Sequence, residues 1–261
     1  MRNRSPLAYG RSRAFRAERI GSGSTNLSEP PMKISIQSLL EGAARGNGTV
    51  GIIDVFRAFT TAAVALANGA SRIIMVATVE EALALRGAGT GQVCMGEVSG
   101  RAPPGFDFGN SPFEVSKVDF RGKTIIQRTS AGTQGIVVAA HRAERLYASS
   151  LVTADATVRA MLAASPDQIT LVAMGDNGIH RTDEDEVCAI HLRNRLEGRR
   201  SDSEAVSRLI MAGGEVSRFH DPARPYLHRE DVKIALDIDR YDFAIRVWIE
   251  NSRPVARIER R

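Results

Sequence analysis

Carboxylates and an arginine follow two apolar runs of the sequence in a pattern that suits anion chemistry. Asp54 lies at the end of the run GIIDVF, Arg57 comes three residues later, and Thr60 and Thr61 open a helical pattern. Glu97 ends a second apolar run, CMGE. Ligands gather at the ends of strands in an open α/β sheet, and a buried carboxylate needs a partner. We therefore expect Asp54 and Glu97 to face a binding site.

The partner of Asp54 could be of two kinds. Arg57 could neutralise it in a purely structural ion pair. Alternatively, several carboxylates beside an arginine-lined pocket would bind a hard divalent cation through oxygen ligands, and Mg²⁺ is the first candidate. The acidic run Asp183–Glu186 could contribute to such a site, although acids in the first turn of a helix also stabilise its dipole without further function.

The segment QRTSAGTQG, residues 127–135, has the chemistry of an anion-binding turn. It contains a guanidinium, three hydroxyls and two glycines: Arg128, Thr129, Ser130, Thr133, Gly132 and Gly135. A turn that leads into a helix presents unpaired N–H groups and the positive end of the helix dipole. Guanidinium groups bind phosphate or carboxylate through two parallel hydrogen bonds. The turn after Asp54 offers the same chemistry, so both turns are predicted to bind an anion.

Short apolar runs bounded by turn residues alternate with helical patterns along the chain. Six runs have the composition of central strands: residues 50–56, 72–77, 92–97, 123–129, 145–149 and 168–175. Thr78 and Glu81 are predicted to form a capping box at one helix, and Thr182 to cap another. The segments IRVWIE and VARIER predict an added C-terminal hairpin. Strands that alternate with helices favour an α/β fold, with a mostly parallel sheet covered on both faces.

Two parts of the chain share one spacing. With Ile53 set on Ile126, residues 53–72 align without a gap on residues 126–145, and three alanines, a threonine, a valine and an arginine recur among the matched positions. Both parts would form a strand, a turn, a helix and a second strand. Any two strand-to-helix units share small residues, so an internal repeat and a coincidence remain alternatives.

The composition is that of a globular protein with most of its excess charge near the N-terminus. The 261 residues are 43% hydrophobic and 25% charged, with a net charge of +5. Residues 1–31 carry six arginines and two glutamates, which leaves the body nearly neutral. We interpret residues 1–31 as a basic, disordered leader, with Met32 as an alternative start, before a single domain over residues 32–261. Nucleic-acid binding is not expected, since no nucleic-acid-binding motif follows. A nucleic-acid protein that acts through its arginine tail is the remaining alternative, and it would require that deletion of residues 1–31 abolishes function.

Location follows from what the sequence lacks. No apolar run approaches the ~20 residues that would span a bilayer, and the leader has no apolar core of a secretory signal. Cys94 and Cys188 lie inside apolar patterns and are predicted to be reduced core residues. We expect a cytoplasmic protein without a membrane partner.

Four motifs carry a resemblance to the 2-phosphosulfolactate phosphatase family, the ComB-like proteins: IIDVFRAFTTAAVALANGA, GEVSGRAPPGFDFGNSPFEV, KTIIQRTSAGTQGI and DEDEVCA. They occur in the family's order and approximate spacing, and the similarity extends from about Lys33 to the tail HREDVKIALDIDRYDFAIRV. The most specific motif is GFDFGNSP, residues 105–112. The resemblance implies a three-layer α/β/α fold with a mixed sheet, and a Mg²⁺-dependent phosphatase that forms homodimers. Its substrate would be 2-phospho-3-sulfolactate, on a route toward coenzyme M.

The family's patterns fall on Asp54, Arg57, Gly96, Glu97, Asp107, Asn110, Ser111, Pro112, Thr129, Gly132, Thr133, Glu184 and Asp185. Two departures bear on the substrate. Val98 stands where the family has an arginine, and Ser130 and Ala131 stand where it has threonine and asparagine. Arg101 and Arg128 could substitute as anion ligands, so the resemblance leaves the exact substrate open.

The residue types and the resemblance together predict a site. Its metal ligands would be Asp54, Glu97, Glu184 and Asp185, and its substrate ligands Arg57, Arg128, Thr129, Ser130, Gly132, Thr133, Asn110 and Ser111. Asp54, Arg57 and Glu97 would be catalytic. The nucleophile would be a metal-activated water or, alternatively, Asp54 itself. The competing hypothesis is a non-catalytic binder of small phosphorylated or sulfonated metabolites.

Overall fold

The computed structural model of the chain describes residues 32–260. Within this range the strands are β1 (Lys33–Ser38), β2 (Thr49–Ile53), β3 (Arg72–Met75), β4 (Val93–Gly96), β5 (Thr124–Arg128), β6 (Arg145–Ser149), β7 (Gln168–Ala173), β8 (Ala244–Glu250) and β9 (Arg253–Glu259). The helices are α1 (Leu39–Arg45), α2 (Ala58–Ala67), α3 (Val79–Gly87), α4 (Pro112–Val115), α5 (Gly132–Ala139), α6 (Ala154–Leu162), α7 (Asp183–Leu196), α8 (Ser203–Ala212) and α9 (Arg229–Ala235). The leader predicted over residues 1–31 lies outside the described residues.

The strands form one mixed sheet in the order β1-β7-β2-β6-β8-β9-β3-β5-β4. Strands β1, β7, β2 and β6 are parallel to one another, and so are β3, β5 and β4. The hairpin β8–β9 joins these two groups through antiparallel pairings with β6 and β3. The C-terminal hairpin was predicted as an addition to the sheet, but it lies at the sheet's centre.

The two segments that share one spacing in the sequence have matching structures. Both have the order strand, helix, strand: β2–α2–β3 and β5–α5–β6. Each unit pairs with the other, since β2 lies beside β6 and β3 lies beside β5. As a result, the turn after β2 and the turn after β5 meet, with Asp54 of one accepting a hydrogen bond from Gly132 of the other. The shared spacing therefore corresponds to two interlocked units that build one site.

Helices cover both faces of the sheet, which gives the predicted three-layer α/β fold. Successive residues of a strand face opposite sides. Thus Ile52 packs on one face with residues of α2 and α5, while Ile53 packs on the other with residues of α6, α7 and α9. All five residues of β2 are buried, as expected for a strand in the interior of a covered sheet. The site residues that follow β2 are consequently anchored on a rigid element.

The six predicted strands and the two helices with predicted caps are present in the structure. They differ from the predictions at their ends and in the hydrogen bonds of the two caps. Thr78 accepts a hydrogen bond from Glu81 N at 3.1 Å, but the Glu81 carboxylate accepts from Arg253 Nε at 3.3 Å instead of completing a capping box. Thr182 precedes α7 without a capping hydrogen bond from its side chain. Strand β1 was absent from the six predicted strands. Cys94 and Cys188 are free and buried, as predicted.

No helix among residues 32–260 has the length and apolar character needed to cross a membrane.

Candidate active site

The segments that follow the strands enclose a cavity of about 280 Å³. Its walls come from the ends of β2, β4, β5 and β7, from the start of α7, and from the segment between α8 and α9. The charged side chains that line it are Asp54, Arg57, Glu97, Asp176, Glu184, Glu215, Arg218 and Arg224. Asn110, Ser130 and Ala131 also line it. The cavity thus brings together carboxylates and guanidinium groups, among them the predicted Asp54, Arg57, Glu97 and Glu184.

Asp54 bridges the starts of two helices. Its Oδ1 accepts a hydrogen bond from Ala58 N in α2 at 2.9 Å, and its Oδ2 accepts one from Gly132 N in α5 at 2.8 Å. Burial raises the pKa of Asp54, the hydrogen bond from Ala58 lowers it and the nearby charge of Glu97 raises it, with the result that it lies at about 6 instead of 3.8. A buried carboxylate with this pKa would be stabilised by a bound cation.

Gly132 is required at this contact. A Cβ atom at position 132 would lie 2.7 Å from Asp54 Oδ2 and 2.9 Å from Ala58 Cβ. Because real Cβ atoms do not approach other atoms so closely, only glycine lets the start of α5 reach the carboxylate. The role of Gly132 in the structure is therefore to allow the close approach of the two turns.

Glu97 holds the turn before α5. Its Oε1 accepts from Ser130 N at 2.5 Å, and its Oε2 accepts from Gly100 N at 2.6 Å and from Ser130 Oγ at 3.2 Å. Glu97 is 7% exposed and lines the cavity. Its carboxylate therefore fixes Ser130 at the cavity wall while remaining accessible to a ligand.

Arg57 pairs with Asp231, not with Asp54. Arg57 Nη1 donates to Asp231 Oδ2 at 2.8 Å and to the carbonyl oxygen of Tyr226 at 3.0 Å. Both hydrogen bonds use the same nitrogen, and among residues 32–260 no acceptor is found for its Nε or Nη2. The structural ion pair with Asp54 is therefore absent, and the remaining donors of Arg57 are available to a ligand in the cavity.

Glu184 and Asp185 differ in their surroundings although they are adjacent. Asp185 Oδ1 accepts from Val55 N at 2.7 Å and Oδ2 from Gly175 N at 2.8 Å, so it clamps the loops after β2 and β7. Glu184 lines the cavity, and its buried Oε2 has no hydrogen-bond partner. Burial raises the pKa of both carboxyls well above the usual values; the charge of Asp185 adds to the effect on Glu184, and that of Asp54 to the effect on Asp185.

The motif 105–112 divides between the cavity and the scaffold. Asn110 lines the cavity, and its buried Oδ1 has no partner. Asp107 Oδ2 accepts a backbone N–H of β4 at 2.8 Å. Ser111 Oγ donates to Asp231 Oδ1 at 2.6 Å. Of this motif, Asn110 is positioned for ligand contact, while Ser111 holds the buried Asp231 through a hydrogen bond.

Arg128 is engaged with the protein. Its Nε donates to the carbonyl oxygen of Ala77 at 3.2 Å, and its Nη1 donates to the carbonyl oxygen of Glu97 at 2.7 Å and to Ser130 Oγ at 3.2 Å. These contacts position the turn that carries Ser130. The assignment of Arg128 to phosphate binding stays a prediction.

The threonine hydroxyls bind the backbone. Thr129 and Thr133 bond reciprocally, since Thr133 N donates to Thr129 Oγ1 at 3.0 Å and Thr129 N donates to Thr133 Oγ1 at 2.8 Å. Thr60 and Thr61 donate to carbonyl oxygens in the loop after β2 at 2.8 and 2.9 Å. The threonines thus shape the two helix starts, and their contact with phosphate stays a prediction.

The donor set fits Mg²⁺ without forming a closed cage. Among the described residues, no group of three or more His, Cys, Asp or Glu side chains is arranged to hold a metal. Mg²⁺ usually keeps several waters and takes one or two carboxylates together with substrate phosphate. The unpartnered Glu184 Oε2 and Asn110 Oδ1, with Asp54 in the same cavity, are oxygen donors of the kind that this ion prefers.

Sequence reasoning missed the contributions of Asp231, Arg218 and Arg224. Asp231 lies at the start of α9, within the family-like tail, and its partner Arg57 is 174 residues away in the sequence. Arg218 and Arg224 lie in a segment without helical or strand periodicity, and nothing in their spacing indicated that it folds over the ends of β2 and β7.

Comparison with known proteins places this site within a family. Residues 35–245 match the family model described as 2-phosphosulpholactate phosphatase. A Bacillus subtilis protein named "Probable 2-phosphosulfolactate phosphatase" is 31% identical over 207 residues, which cover 78% of this chain and 88% of that protein.

Relatives with the same name occur in Thermotoga petrophila and Deinococcus radiodurans. They are 44% identical over 130 residues and 39% identical over 127 residues, and these alignments cover 50% and 49% of this chain. The alignments span only a little over half of each relative's length, 55% and 53%. The family match and the B. subtilis alignment both extend over most of the chain, and the chain therefore belongs to the 2-phosphosulpholactate phosphatase family.

Proposed function

We propose that this protein is a Mg²⁺-dependent phosphatase that hydrolyses 2-phospho-3-sulfolactate to 3-sulfolactate and inorganic phosphate. The observation that carries the proposal is the cavity in which Asp54, Glu97 and Glu184 lie with Arg57, inside the segment that matches the family model. A reaction on the route toward coenzyme M is the corresponding biological role. The names of the three relatives give no support to the alternative of a non-catalytic binder.

Arg57 would bind the phosphoryl group. Its Nη1 is anchored by Asp231, which leaves Nε and Nη2 to donate two parallel hydrogen bonds to phosphoryl oxygens. The start of α5 lies on the same cavity through Ser130 and Ala131, and the positive end of its helix dipole favours an anion there. These fixed donors would stabilise the charge that the phosphoryl oxygens carry in the transition state.

Glu184, Asp54 and Asn110 would hold the metal through their side-chain oxygens, with Glu97 as a further ligand directly or through water. When bound, Mg²⁺ would supply charge neutralisation for the phosphoryl oxygens. Asp185 would contribute indirectly, because it does not line the cavity and its two oxygens bind the N–H groups of Val55 and Gly175. It keeps the loops that carry the other acids in place.

Water is the proposed nucleophile. Both oxygens of Asp54 accept hydrogen bonds from helix starts, and these bonds withdraw electron density from the carboxylate and so weaken it as a nucleophile. The alternative, an aspartyl phosphate on Asp54, would be detected by mass spectrometry of protein quenched during turnover.

Phosphate release from purified protein tests the proposal. The substrates would be 2-phospho-3-sulfolactate and a panel of phosphorylated 2-hydroxy acids, each assayed with Mg²⁺ and with a chelator. We expect release that requires Mg²⁺ and is fastest with 2-phospho-3-sulfolactate. Phosphate release that the chelator does not reduce would overturn the metal assignment. Absence of phosphate release from every substrate of the panel would overturn the proposal of a phosphatase.

The proposal extends to the setting of the reaction. We propose a small anionic phosphorylated molecule as the partner, and no nucleic-acid ligand. We further propose a cytoplasmic homodimer, which size-exclusion chromatography with light scattering would test.

A further inference from the structure

One wall of the cavity is built by residues 213–227, which connect α8 to α9. This segment contains a short 3₁₀ helix, Glu215–His220, and packs on the protein through the buried Val216 and Phe219. Arg218 and Arg224 from this wall line the cavity. Glu215 lines the cavity as well. Neither arginine is used in the phosphate and metal contacts proposed above, so both guanidinium groups are left for another part of the ligand.

Arg224 is oriented by its backbone. Its N–H donates to the carbonyl oxygen of Asp221 at 3.0 Å, and its carbonyl oxygen accepts from Leu227 N at 2.9 Å. The side chain lies with Nε 3.3 Å from Asp221 Oδ2. Within residues 32–260 no acceptor is found for its two terminal nitrogens. A fixed turn therefore presents a guanidinium edge that a ligand can use.

Two acidic side chains contact one terminal nitrogen of Arg218. Its Nη1 donates to Glu215 Oε2 at 2.6 Å and lies 3.6 Å from Asp176 Oδ1. In the described part of the chain no acceptor contacts its Nη2. The two acids fix the side chain beside the cavity and leave the second terminal nitrogen to a ligand. Arg218 and Arg224 together can form the several parallel bonds that carboxylate and sulfonate groups accept.

We propose that Arg218 and Arg224 form a second anion subsite, which binds the carboxylate or sulfonate group of the substrate and selects it over simple phosphate esters. The inference rests on the proposed function for the identity of the phosphorylated end. Arg57 and the start of α5 take that end, beside the carboxylates that suit the metal. The remaining anionic groups then face the wall formed by residues 213–227, where these two arginines are the cations that line the cavity.

Binding of 3-sulfolactate and of inorganic phosphate tests the subsite without requiring turnover. Calorimetric titrations would compare the unmodified protein with Arg224→Gln and Arg218→Gln. Each substitution removes one charge-assisted contact, so we expect affinity for 3-sulfolactate to fall about tenfold, with affinity for phosphate changed less than about twofold. Arg208→Gln is the matched control: Arg208 lies on nearby α8, is 63% exposed and pairs with Glu204. It removes the same charge and should leave both affinities unchanged.

The outcomes separate this inference from the proposed function. Equal losses for both ligands, no loss in either variant, or no binding of 3-sulfolactate by the unmodified protein would overturn the subsite. If the unmodified protein binds 3-sulfolactate through Arg218 and Arg224 but releases no phosphate from 2-phospho-3-sulfolactate, the subsite stands and the phosphatase fails. If the unmodified protein releases phosphate from 2-phospho-3-sulfolactate but both variants keep their affinity for 3-sulfolactate, the phosphatase stands and the subsite fails.

Discussion

Arg57 and Asp231 are 174 residues apart in the sequence, yet Arg57 Nη1 donates to Asp231 Oδ2 at 2.8 Å in the interior of the protein. Their side chains are 4% and 0% exposed. Asp231 Oδ1 also accepts from Ser111 Oγ at 2.6 Å and from Phe113 N at 3.0 Å. One carboxylate therefore fastens the loop after β2 and the segment leading into α4 to the start of α9, and it holds the guanidinium at the cavity.

Replacing Asp231 with alanine should therefore cost stability and activity together. Arg57 would be left as a buried, uncompensated charge, and breaking a buried pair in this way typically costs about 3–5 kcal/mol. Asp231→Asn keeps hydrogen-bonding atoms and should cost less. Urea unfolding gives the free energy of unfolding of each variant, and phosphate release at saturating Mg²⁺ gives the activity.

Asp237→Ala is the matched control for that experiment. Asp237 pairs with Arg240 at 2.9 Å, but their side chains are 54% and 42% exposed, and an exposed pair contributes about 0–1 kcal/mol. If Asp231→Ala and Asp237→Ala lost similar stability, the buried pair would not have the structural role assigned to it.

How much of this site the sequence could predict depends on the range of the interactions. Asp54, Glu97 and the turn before α5 each follow an apolar strand, and local patterning places such residues at a sheet edge. The Arg57–Asp231 pair depends on packing between distant segments, which leaves no local pattern. Sequence reasoning accordingly offered Asp54, the nearest acid, as the partner of Arg57, and this alternative was wrong.

The fold shows the same division. Six strands with continuous apolar runs were predicted because burial on both faces leaves a clear pattern. Strand β1, KISIQS, mixes polar with apolar residues at the sheet's edge, with one exposed and five half-buried positions, and it was missed. The hairpin β8–β9 was recognised from its turn, but its central place in the sheet follows from pairing with β6 and β3, which no local pattern reports.

Asp54→Asn should abolish most of the activity while the protein stays folded. The amide keeps one acceptor oxygen, so one of the N–H groups of Ala58 and Gly132 would lose its partner. Removal of a buried charge offsets part of this loss in stability. We expect phosphate release to fall by at least about 100-fold, with a circular dichroism spectrum like that of the unmodified protein. Asp119→Asn, an exposed acid paired with Arg121, is the control, and turnover within about twofold of normal in Asp54→Asn would refute the catalytic assignment.

Gly132→Ala tests the close approach of the two turns. The added Cβ would meet Asp54 Oδ2 at 2.7 Å and Phe59 Cζ at 3.0 Å, and the strain should cost about 1–3 kcal/mol in the free energy of unfolding and displace the helix start from Asp54. Gly87→Ala provides the comparison: Gly87 lies in α3 and a Cβ there would meet nothing within 4 Å. It should be neutral or stabilising by up to about 1 kcal/mol. Equal stability of the two variants would argue against a tight contact at Gly132.

His191 should make folding stability sensitive to acid independently of the active site. Its Nδ1 lies 2.6 Å from Ser201 Oγ and its Nε2 is buried without a partner; burial, and then the charge of Arg195, lowers its pKa from 6.5 to about 4. Between pH 4 and 6.5 the unfolded chain binds more protons at this histidine than the folded protein does. The part of the free energy of unfolding that depends on neutral His191, up to about 3 kcal/mol, is therefore fully present above pH 6.5 and is lost as the pH falls toward 4. Urea unfolding between about pH 4 and 7 should show a smaller acid loss in His191→Gln than in the exposed control His141→Gln, whereas parallel pH profiles would exclude His191 as the source.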